Sequence, residues 1–359
     1  DIPGRGHGSP TVVGDRVFLA TADEEEKTQS LLCLNRSDGR LRWSREVHRG
    51  GFPSKSNKKA SQASSTPACD GARVYINFLH RGAVYTTAFD LNGEQQWRTK
   101  ITDYVLHQGF GTSPAVYKSL LLVSADNKGG GAVCALDRAS GKIVWKVDRP
   151  KFPNYASPIV YHLDGRDQLI LQGCNRVSSF DPATGDKLWE VEGATTECVS
   201  SIVTDGKHLF TSGGYPRNHV AAVRADGSGE VVWENISRVY VPSMLVKGTY
   251  LYAVMDNGNA MCWRAADGEL MWKERLVRTT SASPVMVGER IYAVDEFGQF
   301  AVFSTDPKEF EIVAKSQLGD QVFATPTICG GRIYARVADS DGDTRQEKLY
   351  CIGNKAASD

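Results

Sequence analysis

Ala135-Leu136-Asp137-Arg138-Ala139-Ser140-Gly141-Lys142-Ile143-Val144-Trp145 recurs in altered form along the whole chain. A second copy is Ser179-Phe180-Asp181-Pro182-Ala183-Thr184-Gly185-Asp186-Lys187-Leu188-Trp189, and others end at Trp43, Trp97, Trp233 and Trp272. The intervals between these six tryptophans are 54, 48, 44, 44 and 39 residues, by subtraction of their positions. A period of roughly 40–50 residues is the mark of a repeat architecture. A second motif keeps the same phase: a Ser or Thr, usually followed by Pro, then a short turn and an apolar run. Its copies begin at Ser9, Thr66, Ser113, Ser157, Ser201, Ser243, Ser283 and Thr325.

These eight starts divide 359 residues into units of about 45, room for four short strands each. Within a unit the strand signals are clear. Arg290-Ile291-Tyr292-Ala293-Val294 alternates and is β-rich, Asp295-Glu296-Phe297-Gly298 is a turn, and Gln299 to Phe303 is the next strand. Asp256-Asn257-Gly258 is the equivalent turn of the sixth unit, with residue types that tolerate positive φ. Few stretches have a helical period. A four-stranded sheet cannot bury both faces alone, whereas sheets set radially cover one another. The reading is therefore all-β: one eight-bladed β-propeller over residues 1–359. The six tryptophans should dock each blade on the next, and Gly39, Gly93, Gly141, Gly185, Gly227 and Gly268 should allow the turn before each Trp strand.

Lys and Arg total 42, as do Asp and Glu, so the formal charge is zero. Nucleic-acid binding needs a basic field, which this total does not supply. No apolar run is long enough to span a bilayer. The eight cysteines include no Cys-x-x-Cys and no adjacent pair. Cys33, Cys134, Cys262 and Cys351 occupy what reads as one repeat position, and buried free thiols are expected there.

The repeated Ala-x-Asp-x-x-x-Gly-x-x-x-Trp and Ser-Pro-x-x-x-(x)-Gly-x-x-(Val/Ile)-Tyr motifs resemble the tryptophan-docked blades of quinoprotein-type propellers. That superfamily holds the PQQ-dependent dehydrogenases and the BamB-like, PQQ-repeat proteins abundant in planctomycete-type bacteria. The resemblance runs from Ser9 to Gly353. It implies a periplasmic or secreted protein. Its catalytic branch implies greater length, a vicinal disulfide, an Asp base, and Glu and Asn ligands to calcium beside the quinone. No Cys-Cys stands in this chain and none of those ligands maps onto it, so neither PQQ nor Ca²⁺ is expected as a cofactor.

Two units depart from the pattern. In the seventh, Glu311-Ile312-Val313 stands where Trp is expected and Asp306-Pro307 replaces Asp-Gly, so its docking should be weaker. The eighth stops after Leu349 to Gly353 without a Trp strand. Its outer strand should come from residues before Ser9, and the native polypeptide is expected to extend upstream of Asp1.

In a propeller the residues just before each Ser/Thr-Pro motif crowd the channel mouth. Two positions earlier stand His7, Ser64, Gly111, Tyr155, Val199, Val241, Ser281 and Phe323; four positions earlier are Arg5, Gln62 and Glu197 among others. With the neighbouring His107, Gln108, Arg238 and Tyr240, the candidate binding set is Arg5, His7, Gln62, His107, Gln108, Tyr155, Glu197, Arg238, Tyr240 and Phe323. Glu197 is the first candidate acid or base, with His7 and His107 next. No hydrolase, zincin or phosphate-loop motif is present. Asp339-Ser340-Asp341-Gly342-Asp343 resembles part of a calcium loop but has Tyr350 where a bidentate Glu is required, so a solvated turn is expected. The longest insertion, His48 to Ser65 with Lys55, Lys58 and Lys59, reads as a surface loop or docking arm, and Gly213 to His219 as a second contact loop. The functional expectation is a non-catalytic binding or scaffold propeller of the cell envelope with a protein partner. One alternative is a small-ligand or carbohydrate propeller using Tyr155, Tyr240 and Phe323 as stacking faces. The other is a PQQ-dependent dehydrogenase.

Overall fold

The computed structural model describes residues 1–53, 57–342 and 344–353. Lys55 and Asp343 lie outside the described residues, as does the side chain of Asp341. Consecutive strands pair antiparallel in chain order, so each repeat is a meander. The first is Thr11–Val13, Arg16–Asp23, Thr28–Asn35 and Leu41–Arg49. Seven such four-stranded sheets and one three-stranded sheet form the eight blades. The eighth blade comprises Thr327–Cys329, Arg332–Asp341 and Thr344–Ile352. Along the outer edge of its last strand, Ile2 makes an antiparallel bridge to Glu347. The N-terminal segment and the last described strand thus meet in this blade, as the sequence predicts.

Each neighbouring pair of blades shares one apolar cluster. Trp97 lies in the cluster between blades 2 and 3, which holds thirteen buried residues. The two junctions without a tryptophan are the poorest: five buried residues between blades 7 and 8, six between blades 8 and 1. The docking geometry explains the recurring glycine better than the turn alone does. The indole N–H of Trp43 donates to the Leu91 carbonyl of the next blade at 3.0 Å, and that of Trp97 to Arg138 O at 3.0 Å. The ring then lies on the neighbour's turn glycine: a Cβ on Gly141 would sit 2.4 Å from Trp97 Cδ2. Gly141 is therefore held to glycine twice, by a φ of +72° and by the indole. Trp189 differs, donating to Gln168 Oε1 at 2.9 Å instead of to a carbonyl of the following blade.

The register corrects three readings. The tryptophan position of blade 7 is Ala314, which pairs with Val302 as Trp272 pairs with Cys262; it is not Glu311 to Val313. The Asp306-Pro307 turn still receives the preceding blade, because Trp272 donates to Asp306 O at 2.9 Å and Phe310 packs on the indole with ring centroids 5.1 Å apart. What is lost is the indole that blade 7 would lay on blade 8. Cys134 is one position out of phase with Cys33 and Cys262. It pairs with Lys146, while Ala135 faces Trp145, so it buries on the opposite side of its sheet. Cys351 shares the phase of Cys33 but is exposed, because no complete outer strand covers it. Cys33, Cys134 and Cys262 are buried free thiols.

Ring closure relies on polar groups in place of an indole. Arg336 and Glu347 form an ion pair at 2.5 Å, each side chain 2% exposed. Arg336 also donates to the Ala20 carbonyl of blade 1, and Gly6 N donates to Glu347 Oε1 at 3.4 Å. The calcium-like segment from Asp339 falls at the tip of the adjoining hairpin, and the Asp339 carboxylate is held by Lys348 at 2.6 Å.

Candidate functional site

The segments entering each blade alternate strictly between buried and half-buried residues. From His7, Gly8, Ser9 and Pro10 to Phe323, Ala324, Thr325 and Pro326, the first and third positions are half-buried and the second and fourth are buried. This is a period of two, so alternate side chains face the axis. The backbone of these segments is stitched around the ring by the repeat hydroxyls. Ser9 N donates to Thr66 Oγ1, Thr66 N to Ser113 Oγ and Ser113 N to Ser157 Oγ, at 3.0, 3.0 and 2.9 Å. Ser201, Ser243 and Ser283 repeat the pattern toward Ser243, Ser283 and Thr325, each at 3.0 Å.

The axis opens into a cavity of about 530 Å³ lined by all eight of these Ser and Thr residues. The eight residues two positions earlier also line it. Of the ten sequence-derived candidates, His7, Gln108, Tyr155, Tyr240 and Phe323 lie on its wall; Arg5, Gln62, His107, Glu197 and Arg238 do not. Arg5, Gln62 and Glu197 share the parity of the wall positions, so it is other contacts and not the pleat that turn them away. Glu197 is 3% exposed and sits behind the wall, where His107 Nε2 approaches it at 3.1 Å and Tyr240 Oη donates to it at 3.1 Å. Arg238 stacks over the Tyr240 ring at 5.3 Å, Gln62 turns toward a smaller hollow, and Arg5 pairs with Glu24 at 3.8 Å. Glu197 thus orients Tyr240 and does not itself face a ligand. Burial, reinforced by the Glu197 carboxylate, raises the phenols of both Tyr155 and Tyr240 above their ordinary range. Both stay neutral hydroxyls at physiological pH.

His7 stacks on Phe323 with centroids 4.5 Å apart and an interplanar angle of 28°, closing the wall where the first blade meets the last. Its burial, with Arg5, Arg336 and Arg345 nearby, holds the imidazole well below 6.5 and hence uncharged. The insertion contributes to the wall as well: Asn57, Lys59 and Ala60 line the cavity. Lys59 Nζ reaches Glu296 of the blade 7 hairpin at 2.6 Å, and Ser281 Oγ donates to the same carboxylate at 2.6 Å. Asn57 is held by Gln108, backbone to backbone at 3.0 Å and side chain to side chain at 2.9 Å. Sequence reading gave no sign of Glu296, which is 237 residues from Lys59 and sits in an ordinary hairpin turn. The Gly213 to His219 connection packs on the same rim, with Tyr215 O accepting from Glu197 N at 3.4 Å.

Pyrroloquinoline quinone with Ca²⁺, the pair implied by the catalytic branch of the resemblance, needs cations for its carboxylates and several oxygen ligands for its metal. The described cavity wall offers one ammonium, Lys59, already paired with Glu296. Two other carboxylates lie behind the wall and are occupied: Glu197 accepts from Tyr240 Oη, and Asp256 from the backbone N–H groups of Tyr240 and Val241. No group of three or more His, Cys, Asp or Glu able to hold a metal ion occurs among the described residues. This donor set does not fit that pair.

Comparison with known proteins agrees with the architecture. The family model described as outer membrane protein assembly factor BamB matches residues 1–88, 54–274 and 216–311. The outer membrane protein assembly factor BamB of Shewanella oneidensis is 22% identical over 71% of this chain and 67% of its own length. That of Moranella endobia is 21% identical over 92% of this chain and 83% of its own. Among solved structures, a europium-containing methanol dehydrogenase superposes with a TM-score of 0.70 at 13% identity, covering 94% of this chain and 83% of its own. The last likeness is one of fold alone. Carried by the family match across most of its length, and by blades that repeat and dock as described, the chain belongs to the PQQ-repeat family of the outer membrane protein assembly factor BamB.

Proposed function

We propose that this protein is a non-catalytic scaffold propeller of the cell envelope that holds a protein partner on the loop face around the channel mouth. The observation that supports this is a set of large apolar side chains exposed on that face. Inter-blade connections and the hairpins between second and third strands share one side of the ring, as the Lys59–Glu296 and Glu197–Tyr215 contacts require. On them Val105, Phe152, Tyr215, Ile236 and Phe297 are 52%, 40%, 54%, 87% and 44% exposed. Exposed Leu, Ile and Val occur elsewhere on the surface too, but the three exposed aromatics among the described residues, Phe152, Tyr215 and Phe297, all lie on this face, and aromatic residues are enriched in protein contacts. The names of the BamB relatives, as outer membrane protein assembly factors, support a place in the envelope and a protein partner. Among the described residues no helix is long and apolar enough to cross a membrane.

A photo-crosslinking residue placed at Ile236 in cells should yield a discrete adduct with an envelope protein, and the same residue at Leu41 on the opposite rim should not. Identical adduct patterns at the two positions, or none at Ile236, would refute the assignment.

A further inference from the structure

We propose that the axial cavity is a binding site for a neutral, polyhydroxylated ligand: a mono- or disaccharide held by aromatic faces above a ring of hydroxyl donors. The inference is independent of the partner-binding reading, because it concerns the channel and not the apolar rim.

The chemistry of the wall selects the ligand class. Each of Thr66, Ser113, Ser157, Ser243, Ser283 and Thr325 accepts a backbone N–H from the neighbouring blade. A hydroxyl so engaged still has its own proton to donate, and no described hydrogen bond takes it. The cavity therefore presents a circle of preorganised O–H donors whose oxygens are fixed by the fold. An apolar ligand would desolvate these groups without replacing their partners, which is unfavourable. A charged ligand fares no better. Lys59 is the one cationic side chain on the described wall and is committed to Glu296; His7 is uncharged; and Glu197 lies behind Tyr240. What matches many neutral donors is a molecule with many neutral acceptors.

Size and shape agree. A volume of about 530 Å³ lies within the range of small-molecule sites and exceeds a single hexose. Sugars also have apolar C–H faces, and the wall offers flat partners for them. Tyr155 and Tyr240 are half-buried and line the cavity, and the His7–Phe323 stack supplies a third surface. Glu197 and Gln108 fix the two phenols through their Oη atoms, Tyr240 donating to Glu197 Oε2 and Tyr155 accepting from Gln108 N at 3.3 Å. The rings are thereby positioned before any ligand arrives, which lowers the ordering cost of binding.

The test is calorimetric titration of the whole protein with glucose, galactose, N-acetylglucosamine, cellobiose and diacetylchitobiose, alongside glucuronic acid and glucosamine as charged counterparts. Saturable binding of at least one neutral sugar is expected, with the charged relatives weaker. Tyr155→Ala and Phe323→Leu should each weaken it by about tenfold while the circular dichroism spectrum and melting temperature stay close to wild type. Two substitutions on separate blades protect the test against one that perturbs folding. Absence of saturable binding across the neutral panel, stronger binding of a charged sugar, or binding untouched by both substitutions overturns the proposal. Loss of crosslinking at Ile236 would bear only on the partner reading, and loss of sugar binding only on this one.

Discussion

Gly39 and Gly141 have the same backbone angle, φ +72°, and the same place in their repeats, yet different surroundings. A Cβ on Gly39 would meet nothing within 4 Å, because blade 8 carries no tryptophan to lay on blade 1. A Cβ on Gly141 would lie 2.4 and 2.6 Å from Cδ2 and Cε3 of Trp97. Alanine at either site costs about 1–2 kcal/mol for the left-handed conformation. The reduced freedom of the unfolded chain returns about 0.4–1 kcal/mol. Gly39→Ala should therefore destabilise by about 0–1.6 kcal/mol. Gly141→Ala adds the displacement of a docked indole, about 1–3 kcal/mol by analogy with overpacked cores. Urea unfolding followed by far-ultraviolet circular dichroism reads the difference as a shift in midpoint at constant slope. Trp97→Ala supplies the internal control. With the indole gone, the extra cost of Gly141→Ala should vanish, giving a coupling energy of about 1–3 kcal/mol in a double-mutant cycle. If Gly39→Ala and Gly141→Ala destabilise equally, or if Trp97→Ala leaves the Gly141 cost unchanged, indole-on-glycine docking is not what fixes these glycines.

Two further outcomes follow from buried charge and buried imidazole. Arg336→Met should destabilise by about 3 kcal/mol, because it leaves the buried Glu347 carboxylate with Arg345 alone; adding Glu347→Leu should recover much of the loss, measured by the same urea midpoints. His7, His80 and His219 are all held below 6.5, each mainly by burial, and His48 is lowered to about 3. A depressed imidazole contributes stability that is complete above about pH 6.5 and fades as pH falls, since the unfolded chain then binds protons that the folded one refuses. The melting temperature should accordingly drop between about pH 7 and about pH 5, above the range where most carboxylates titrate, and His48→Phe should flatten that slope; a flat wild-type profile would refute the reasoning.

The fold was legible because its constraints are local and repeated. An indole, a turn glycine and a Ser-Pro entry within 45 or so residues suffice to define a blade, and eight copies average out the exceptions. Where the reading slipped, the cause was spacing. Cys262 and Trp272 are ten residues apart (272 − 262), whereas Val302 and Ala314 are twelve (314 − 302), so the turn of blade 7 is two residues longer. A window of fixed length then points to Glu311 through Val313. The same one-residue sensitivity of a pleated strand put Cys134 on the wrong face. Cys351 was misjudged for a different reason: its burial depends on an outer strand that the repeat itself does not carry.

The site was legible by position and not by content, and the ring explains why. Positions on the axis were predictable since a period of two, anchored at each Ser or Thr, decides which side chains converge. Counting back four residues failed at Glu197 because the alternation breaks there, Glu197 and Cys198 both being buried, and at Arg5 because the alternation continues but the side chain pairs with Glu24 away from the axis. No local signal announces Glu296, whose role exists only because the insertion crosses the mouth. The wall residues are also the ones whose identity matters least to the blades. Their backbone is held by the seam of hydroxyl-to-amide hydrogen bonds, and their side chains point into a space that docking does not fill. A Tyr, Val, Gly or Phe can stand there at similar cost to the fold. The repeat thus specifies a cavity with a constant rim of hydroxyls and leaves the remaining positions free to define what enters it.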